Sequence, residues 1–421
     1  MKPEISTVAL SKIIFDEKVY PRQKHDPVLV QRYADAIESI ELKQNYICIS
    51  QDFRLVDGRH RQLAYKTVFS EDREIPVYIY PVSDNDDVFD LAVELNSYSG
   101  WQMTDDDKRR AAAKMYARAD RKPQDDIAKI LGVSIKKVNI WLSDILKQER
   151  TEREEKIYNL WMACYETDII ADTVKQTPQA VNQFLQKKKE DFQEKDSFFF
   201  RNFEPQVYTV WNFAKATNEV RHFGNIPPEI IDNLMYYYTK PFDVVFDPFG
   251  GGGSTIDKCL ERNRRYYVSD LNPIPARSDI RKWDIGQGLP NDLPVPDLVF
   301  LDPPYWKQAE GKYSDQSEDL ANMELDKFLS TIGDIARNIK RKWSGNRPDG
   351  KLAIIIGPYQ KDWKTIDLPF MCYQTIVKYL NPVIRIQVPY STQVHGGQYV
   401  QNAKNAKQML YLSRDLMVFE G

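Results

Sequence analysis

Hydrophobic positions divide the chain into three stretches of different period. Up to about residue 95 the pattern mixes strand and helix. Ile5 to Ile14 predicts an extended segment, and Pro27 to Ile40 a helix with Val30, Tyr33, Ala34 and Ile37 on one face. Tyr46 to Ser50 and Phe53 to Val56 predict two strands. The second runs into an Asp57-Gly58 turn and a helix that opens on Arg59, His60 and Arg61 before Leu63, Ala64 and Val68. From Asn96 the pattern turns helical, with Thr104 and Asp107 forming a capping-box-like start in which the acid is Asp. Residues 123–142 then carry Ile127, Ala128 and Leu131, a Gly132 turn, a Ser134 cap, and Val138 and Leu142, which is the grammar of a helix-turn-helix. Residues 165–185 repeat it with an Ile-Ala helix, a Thr177-Pro178 start, and Val181 and Leu185. The charged run Lys147 to Lys156 between them reads as a solvated helix extension.

Beyond about residue 196 the pattern changes to buried strands alternating with helices. Val244 to Phe246, Tyr266 to Val268, Leu298 to Phe300 and Leu352 to Ile356 are apolar runs of the kind that parallel strands bury on both faces. Leu325, Phe328, Ile332 and Ile335 mark a long helix. Val383 to Tyr390 and Met409 to Phe419 read as a closing antiparallel pair across His395-Gly396-Gly397. Asp191 to Pro205, with Phe198, Phe199, Phe200 and Phe203, forms an aromatic boundary, and Lys307 to Asp319 a charged insertion. The fold class that follows is α/β: a C-terminal Rossmann-like sheet of seven strands, a small N-terminal α/β unit, and a helical helix-turn-helix middle. The expected domains are 1–95, 96–150, 151–195 and 196–421.

Composition narrows this only a little. At 421 residues the chain has length for two or three cores. A net charge of −3 and a pI near 6.0 confine any nucleic-acid surface to a local patch. Cys48, Cys164, Cys259 and Cys372 are scattered, with no ligand-spaced His, so neither disulfides nor a metal is expected. With no apolar leader and no run of about 20 apolar residues, a soluble cytoplasmic protein without membrane contact is expected.

The chemistry concentrates at Asp302-Pro303-Pro304-Tyr305, where a buried strand is predicted to end. The prolines hold a rigid extended turn with free carbonyls. Asp302 and the Pro303 carbonyl would accept hydrogen bonds beside the flat face of Tyr305, which matches a nucleobase carrying an exocyclic amino group. Upstream, Asp247-Pro248-Phe249 leads into Gly250 to Gly253 and Ser254, a strand-to-helix turn that lets backbone approach a cofactor. No Lys follows the glycines, which disfavours a triphosphate. Asp270 ends the next strand about 20 residues on, where a ribose diol would bind.

These residues resemble the DNA amino-methyltransferases that use S-adenosylmethionine. The cofactor motif Asp-Pro-Phe-x-Gly-Ser-Gly-Thr is matched by Asp247 to Ser254, with Gly in place of the first Ser and Ser in place of the Thr. The catalytic motif Asp-Pro-Pro-Tyr is matched without change. The resemblance implies catalytic roles for Asp302, Pro303, Pro304 and Tyr305. It implies S-adenosylmethionine contacts for Asp247, Pro248, Phe249, Gly250, Gly251, Gly253, Ser254 and Asp270, with Asp284 near the adenine and Trp211 and Pro227 near the methionine end. The first motif residue, Asp rather than Ser, favours adenine N6; cytosine N4 stays open, as does a non-catalytic DNA-binding regulator. In this chain the cofactor motif precedes the catalytic one, and no target-recognition segment is expected in the C-terminal half.

Asp57 to Ala64 resembles the ParB N-terminal domain, with Arg59 where the commoner form has Glu, and Ser39-Ile40 and Ile75-Pro76-Val77 fit the same pattern. That likeness implies a nucleotide or DNA phosphate at Gly58, Arg59, His60 and Arg61. The two hairpins imply double-stranded DNA as partner, engaged by Ser134, Lys136, Lys137 and Asn139 of the first and Gln179 and Asn182 of the second. A homodimer and a place in restriction-modification are compatible with this and untouched by it.

Overall fold

The structure is a computed structural model that describes residues 2–22, 24–37, 40, 43–98, 103–193, 199–213, 226–307, 319–361, 364–390 and 396–421. It divides into two compact units, Met1–Thr151 and Glu152–Gly421.

The first unit is built on a four-stranded sheet. Strands β1 (Glu4–Ala9), β2 (Ile47–Ser50), β3 (Leu55–Asp57) and β4 (Glu74–Tyr80) stand in the order β1-β4-β2-β3, with β2 parallel to β4 and the other pairs antiparallel. The extended segment is shorter than Ile5 to Ile14, because the chain turns into a 3-10 helix at Leu10–Lys12. Side chains alternate across the sheet, so Ile47, Ile49 and Leu55 enter one core and Cys48 and Val56 the other. The first core is covered by α1 (Pro27–Asp35) and α2 (Arg59–Val68). Ser39 lies outside the described residues.

The second core is helical. It contains α3 (Asn85–Tyr98), α4 (Asp105–Tyr116), α5 (Gln124–Leu131) and α6 (Ile135–Trp141), through Val88, Phe89, Ala92, Ala112, Met115, Ile127, Leu131 and Val138. The helical stretch therefore begins at Asn85 and not at Asn96, and it shares its core with Cys48 and Val56 of the sheet. The Thr104–Asp107 capping box forms as its spacing suggests. Gly132 takes the left-handed conformation that ends α5. The boundary between the units falls inside the continuous helix α7 (Ser143–Met162).

The second unit is a three-layer α/β/α structure. Its strands are β5 (Val244–Asp247), β6 (Arg265–Asp270), β7 (Arg281–Lys282), β8 (Leu298–Leu301), β9 (Lys351–Ile356), β12 (Asn381–Pro389) and β13 (Ser413–Glu420), with a separate short hairpin of β10 (Tyr359–Lys361) and β11 (Lys364–Ile366). The seven-stranded order is β12-β13-β9-β8-β5-β6-β7, parallel from β9 to β7 and antiparallel at β13 and β12. Val245, Leu298 and Phe300 face one layer, which holds the end of α7, α8 (Thr167–Val174), α9 (Pro178–Gln193), α10 (Glu229–Tyr238) and α11 (Ser254–Glu261). Val244, Phe246, Val299 and Leu301 face the other, made by α12 (Leu325–Trp343) and α13 (Leu368–Ile376). Phe246, Leu298, Val299 and Leu301 are all fully buried, each contributing about 1.5–3 kcal/mol of hydrophobic stabilisation. This rigid centre fixes where the two motif-bearing turns emerge.

Two elements differ from the sequence reading. The second hairpin belongs to this sheet's helical layer, since Ile170, Ala171, Val181 and Leu185 are buried in the same core as Val245. Between β12 and β13 lies α14 (Gly397–Ala406), in which only Ala403 is buried. Of the aromatic boundary, Phe200 is buried against Phe203 and Tyr236, while Phe198 lies outside the described residues, as do His395 and 308–318 of the charged insertion.

Candidate active site

The chain winds from β5 outward through β6 and β7, then returns to β8 on the other side of β5. Two adjacent parallel strands whose continuations diverge leave a crevice beyond their carboxyl ends, the usual ligand site of such sheets. Asp247 ends β5 and Asp302 follows β8, so the two motifs, 55 residues apart in sequence (302 against 247), open on one crevice.

The Asp247 side is a braced loop. Asp247 is buried; Phe249 N–H (2.8 Å) and the Thr255 hydroxyl (2.5 Å) donate to its carboxyl, which burial pushes up to about 7, with the carboxylate of Asp270 adding to the rise. Asp247 thus ties the start and end of the turn together. Gly250 donates to Ser269 O (2.8 Å), and a Cβ there would lie 2.7 Å from Val268 Cγ1, so only glycine permits this approach to β6. Gly253 has φ +86°, and a Cβ there would enter the Arg277 guanidinium, which is paired with Asp257 and Asp279 (2.9 Å each) and donates to Gly252 O. Asp270 accepts from Gly251 N–H and Asn272 N–H (2.9 Å each), which leaves a lone pair on each oxygen. Pro248 is buried, and Phe249 and Ser254 are half-buried at the two ends of the turn.

The Asp302 side is held at its far end and open at its near end. Trp306 Nε1–H donates to Met323 O (2.8 Å), and the Trp306 ring meets Tyr359 edge-on at 5.2 Å. Asp302 is half-buried, and among the described residues its carboxylate accepts no hydrogen bond. Burial pushes it up to about 7, against the pull of Arg414 and with a push from Asp247. Burial also drives the Tyr305 phenol far above its usual range. Pro303 is buried and Pro304 half-buried, so the turn is fixed by packing as well as by ring closure.

Two residues that the sequence reading passed over converge on this turn. Arg414 of β13 is 7% exposed and donates through Nη1 to Tyr305 Oη at 3.5 Å. Its guanidinium stands 5.1 Å from the ring of Tyr390, just after β12. A Cβ on Gly357, just after β9, would lie 3.0 Å from Tyr390 Oη and 3.5 Å from Arg414 Cγ. The available signal was an arginine set into the strand ahead of Leu416-Met417-Val418.

The other expected cofactor residues divide. Asp284 stands beyond the β7 end next to Asp270, but its carboxylate accepts from Gly286 N–H (2.8 Å) and Gln287 Nε2 (3.2 Å), capping a short helical turn. Trp211 is buried and donates its backbone N–H to Gln387 O (2.8 Å) on the outer strand β12; Pro227 is buried at the entry to α10. No contact recorded among the described residues brings either to the β5–β8 crevice.

In the N-terminal unit the motif residues are spent internally. Gly58 is left-handed (φ 102°) at the start of α2. Arg61 donates to Asp57 Oδ2 (2.7 Å), Asn45 O (2.8 Å) and Tyr46 O (2.8 Å). Arg59 lies 3.7 Å from the Phe15 ring centroid and donates to Gln62 (2.6 Å), and His60 Nε2 accepts from Asp26 N–H (2.9 Å). In the hairpins, the Ser134 hydroxyl accepts from Lys137 N–H as a helix cap, and Lys137 pairs with Asp105 (2.8 Å). Lys136, Asn139 and Gln179 are exposed, and so is Asn182, which accepts from Thr167 (3.3 Å).

The family model described as DNA methylase matches residues 43–274, more than half of the 421-residue chain. This chain belongs to the DNA methylase family. The matched span includes the Asp247–Ser254 turn and Asp270 and ends before Asp302. Among curated proteins, the chain is 40% identical over 81 residues to the Type II methyltransferase M.Cfr9I of Citrobacter freundii, covering 19% of this chain and 26% of that one. It is 38% identical over 65 residues to the Type II methyltransferase M.XycI of Xanthomonas campestris pv. cyanopsidis, covering 15% and 22%. The chain thus spans about a quarter of the length of these relatives. Among solved structures, the Pnob8-like ParB-N domain aligns at a TM-score of 0.25 and 13% identity, over 34% of this chain and 69% of that one, a likeness too slight to carry an argument.

Membership brings S-adenosylmethionine with it as cofactor. The loop fits that group: a glycine turn with half-buried Phe249, beside Asp270 whose oxygens retain lone pairs for two hydroxyls. Among the described residues no cluster of His, Cys, Asp or Glu could hold a metal, and no helix is long and apolar enough to cross a membrane. All four cysteines are free and buried.

Proposed function

We propose that the protein transfers a methyl group to the exocyclic N6 amino group of adenine in double-stranded DNA. The observation that carries this reading is the Asp302 carboxylate, unpartnered among the described residues and opening on the crevice it shares with the glycine turn. S-adenosylmethionine supplies a sulfonium-bound methyl group. Glycine-turn backbone and Asp270 hold the cofactor, and Asp302 with the Pro303 carbonyl accepts the two amino hydrogens. That draws the nitrogen lone pair out of conjugation and aims it, so positioning does most of the work. With its methyl group gained, the amino nitrogen would carry a surplus proton, and Asp302, whose carboxyl lies near 7, would take it and release it to water at neutral pH. Tyr305 offers a face on which the unstacked base recovers part of the few kcal/mol lost in leaving the duplex.

DNA engagement is assigned to the exposed side chains Lys136 and Asn139 of α6 and Gln179 and Asn182 of α9. The test is transfer of labelled methyl from S-adenosylmethionine to mixed-sequence duplex DNA, followed by nucleoside separation. Label in N6-methyladenine is the expected result; label in N4-methylcytosine keeps the reaction and changes the base. No transfer, with cofactor and DNA both bound, refutes the reading in favour of a regulator.

A further inference from the structure

A guanidinium taken out of water costs several kcal/mol unless a counter-charge and hydrogen bonds replace its hydration. Arg414 is 7% exposed, yet among the described residues its Nε has no partner and its hydrogen bond to Tyr305 Oη is long at 3.5 Å. The acid next to it in sequence does not neutralise it: Asp415 is paired with Arg385 (2.9 Å) and accepts from Gln387 (3.2 Å). Asp302, three residues before Tyr305 and within electrostatic reach of Arg414, is the complementary case, a desolvated carboxylate that accepts no hydrogen bond among the described residues. Tyr390 covers the guanidinium with its ring. A buried cation and a half-buried anion, each under-satisfied among the described residues, therefore meet at one catalytic loop.

Resting on the reading of Asp302 as acceptor of the target amino group, we propose that Arg414 is a positioning residue for methyl transfer: it holds Tyr305 through the phenolic hydroxyl and supplies the counter-charge that Asp302 otherwise lacks. Arg414 touches neither substrate nor cofactor in this role. It acts by keeping the aromatic face in place and the acceptor bare. Among the described residues, the groups that face Asp302 are Arg414 from β13, Asp247 from β5, Tyr305 from its own loop and Tyr390 from the end of β12. Of these only Arg414 is a cation, so its removal leaves Asp302 beside Asp247 with no cation among the described residues to oppose their repulsion.

The experiment uses the full chain and the variants Arg414→Met and Arg414→Lys, with Arg414→Gln, neutral but able to hydrogen-bond, serving if the Met variant does not fold. Two readouts are taken: the pH profile of methyl transfer to duplex DNA, and the Asp302 titration by carboxyl 13C NMR, with Asp302→Asn assigning the signal. Loss of an opposite charge at close range moves a carboxylate by about one pH unit or more, so the neutral variant should titrate Asp302 that much higher and carry the acid limb of kcat with it. Its kcat at neutral pH should fall on the order of a hundredfold while KM for S-adenosylmethionine stays within a few-fold, the pattern of a misplaced reacting group. The Lys variant should recover most of both. An Asp302 midpoint that is the same with Arg, Lys and the neutral residue overturns the proposal and leaves Arg414 a packing residue. A wild-type chain that transfers no methyl would sink the methylase reading alone, because the NMR midpoint still decides whether Arg414 bears on Asp302.

Discussion

Asp57 to Arg61 and Asp302 to Tyr305 are both polar turns that begin with Asp and follow a buried strand, β3 in one unit and β8 in the other. Each matches a family motif, and the two differ in what happens to their polar groups. In the first, Arg61 binds Asp57, Asn45 and Tyr46, Arg59 lies on Phe15 and donates to Gln62, and His60 accepts from Asp26. In the second, Asp302 accepts nothing among the described residues, and Arg414 keeps an unpartnered Nε. A turn whose side chains satisfy one another is a brace. One that leaves a half-buried, desolvated carboxylate unsatisfied holds back the capacity that a substrate would use.

The largest effect expected from this contrast is at Asp302. Asp302→Ala should lower kcat by about 10^3-fold or more, as losing a group that acts mainly in the transition state does, while S-adenosylmethionine affinity changes by no more than several-fold. Isothermal titration beside single-turnover transfer checks it. Equal loss of affinity and rate would mean that Asp302 shapes the crevice, and the contrast with Asp57 would collapse.

The matching substitution in the other turn should act on stability. The Arg61 and Asp57 side chains are 10% and 13% exposed, so Arg61→Met strands a desolvated carboxylate and two backbone carbonyls. Removing one partner of such a pair costs about 3 kcal/mol or more, which urea unfolding of the N-terminal unit would register. Unchanged stability with lost DNA binding would place Arg61 in a ligand site and break the comparison.

Next in size is a pH effect with opposite signs for activity and stability. Asp302 and Asp247 both titrate near 7 in the folded chain against 3.8 ordinarily. Transfer needs the bare Asp302 carboxylate, so kcat should fall about tenfold per pH unit below 7. The folded state holds these protons more tightly than the unfolded one, so the stability they contribute is fully present below about 4 and is lost as pH rises through about 7. A protein more active and less stable at pH 8 than at pH 6 is the outcome to look for, by transfer rates and thermal melts in matched buffers.

How much of this was legible follows from the range of the interactions. Strands β5, β6 and β8 could be read because apolar runs end at Gly or Asp, and both motif turns are local in sequence. The Arg61–Asp57 pair was within reach too, at i, i+4, though its backbone partners at Asn45 and Tyr46 were not. Arg414 reaches Tyr305, with Tyr390 and Gly357 packed beside it, only because β9, β12 and β13 share a sheet, a convergence no local pattern carries. Helix α3 was missed for another reason: its Asp86 and Asp87, which suit a helix N-terminus, broke the apolar run ahead of Val88, Phe89, Ala92 and Val93.

The smallest effect sharpens the comparison most, because it tests a residue that both readings of the first turn claim. Arg59 heads α2, where a cation opposes the helix dipole, so without a ligand its place needs another cause. The Phe15 ring, 3.7 Å from its guanidinium carbon, and Gln62 at 2.6 Å supply one. A partly desolvated cation–π contact of this kind is worth about 1 kcal/mol, and relief of the unfavourable dipole returns part of that when the charge is removed. Arg59→Met should therefore cost less than about 1 kcal/mol by urea unfolding, and leave DNA affinity and its salt dependence as they were. If the salt slope of DNA binding instead fell by about one, Arg59 would be neutralising a phosphate, and the first turn would belong with the second as a site.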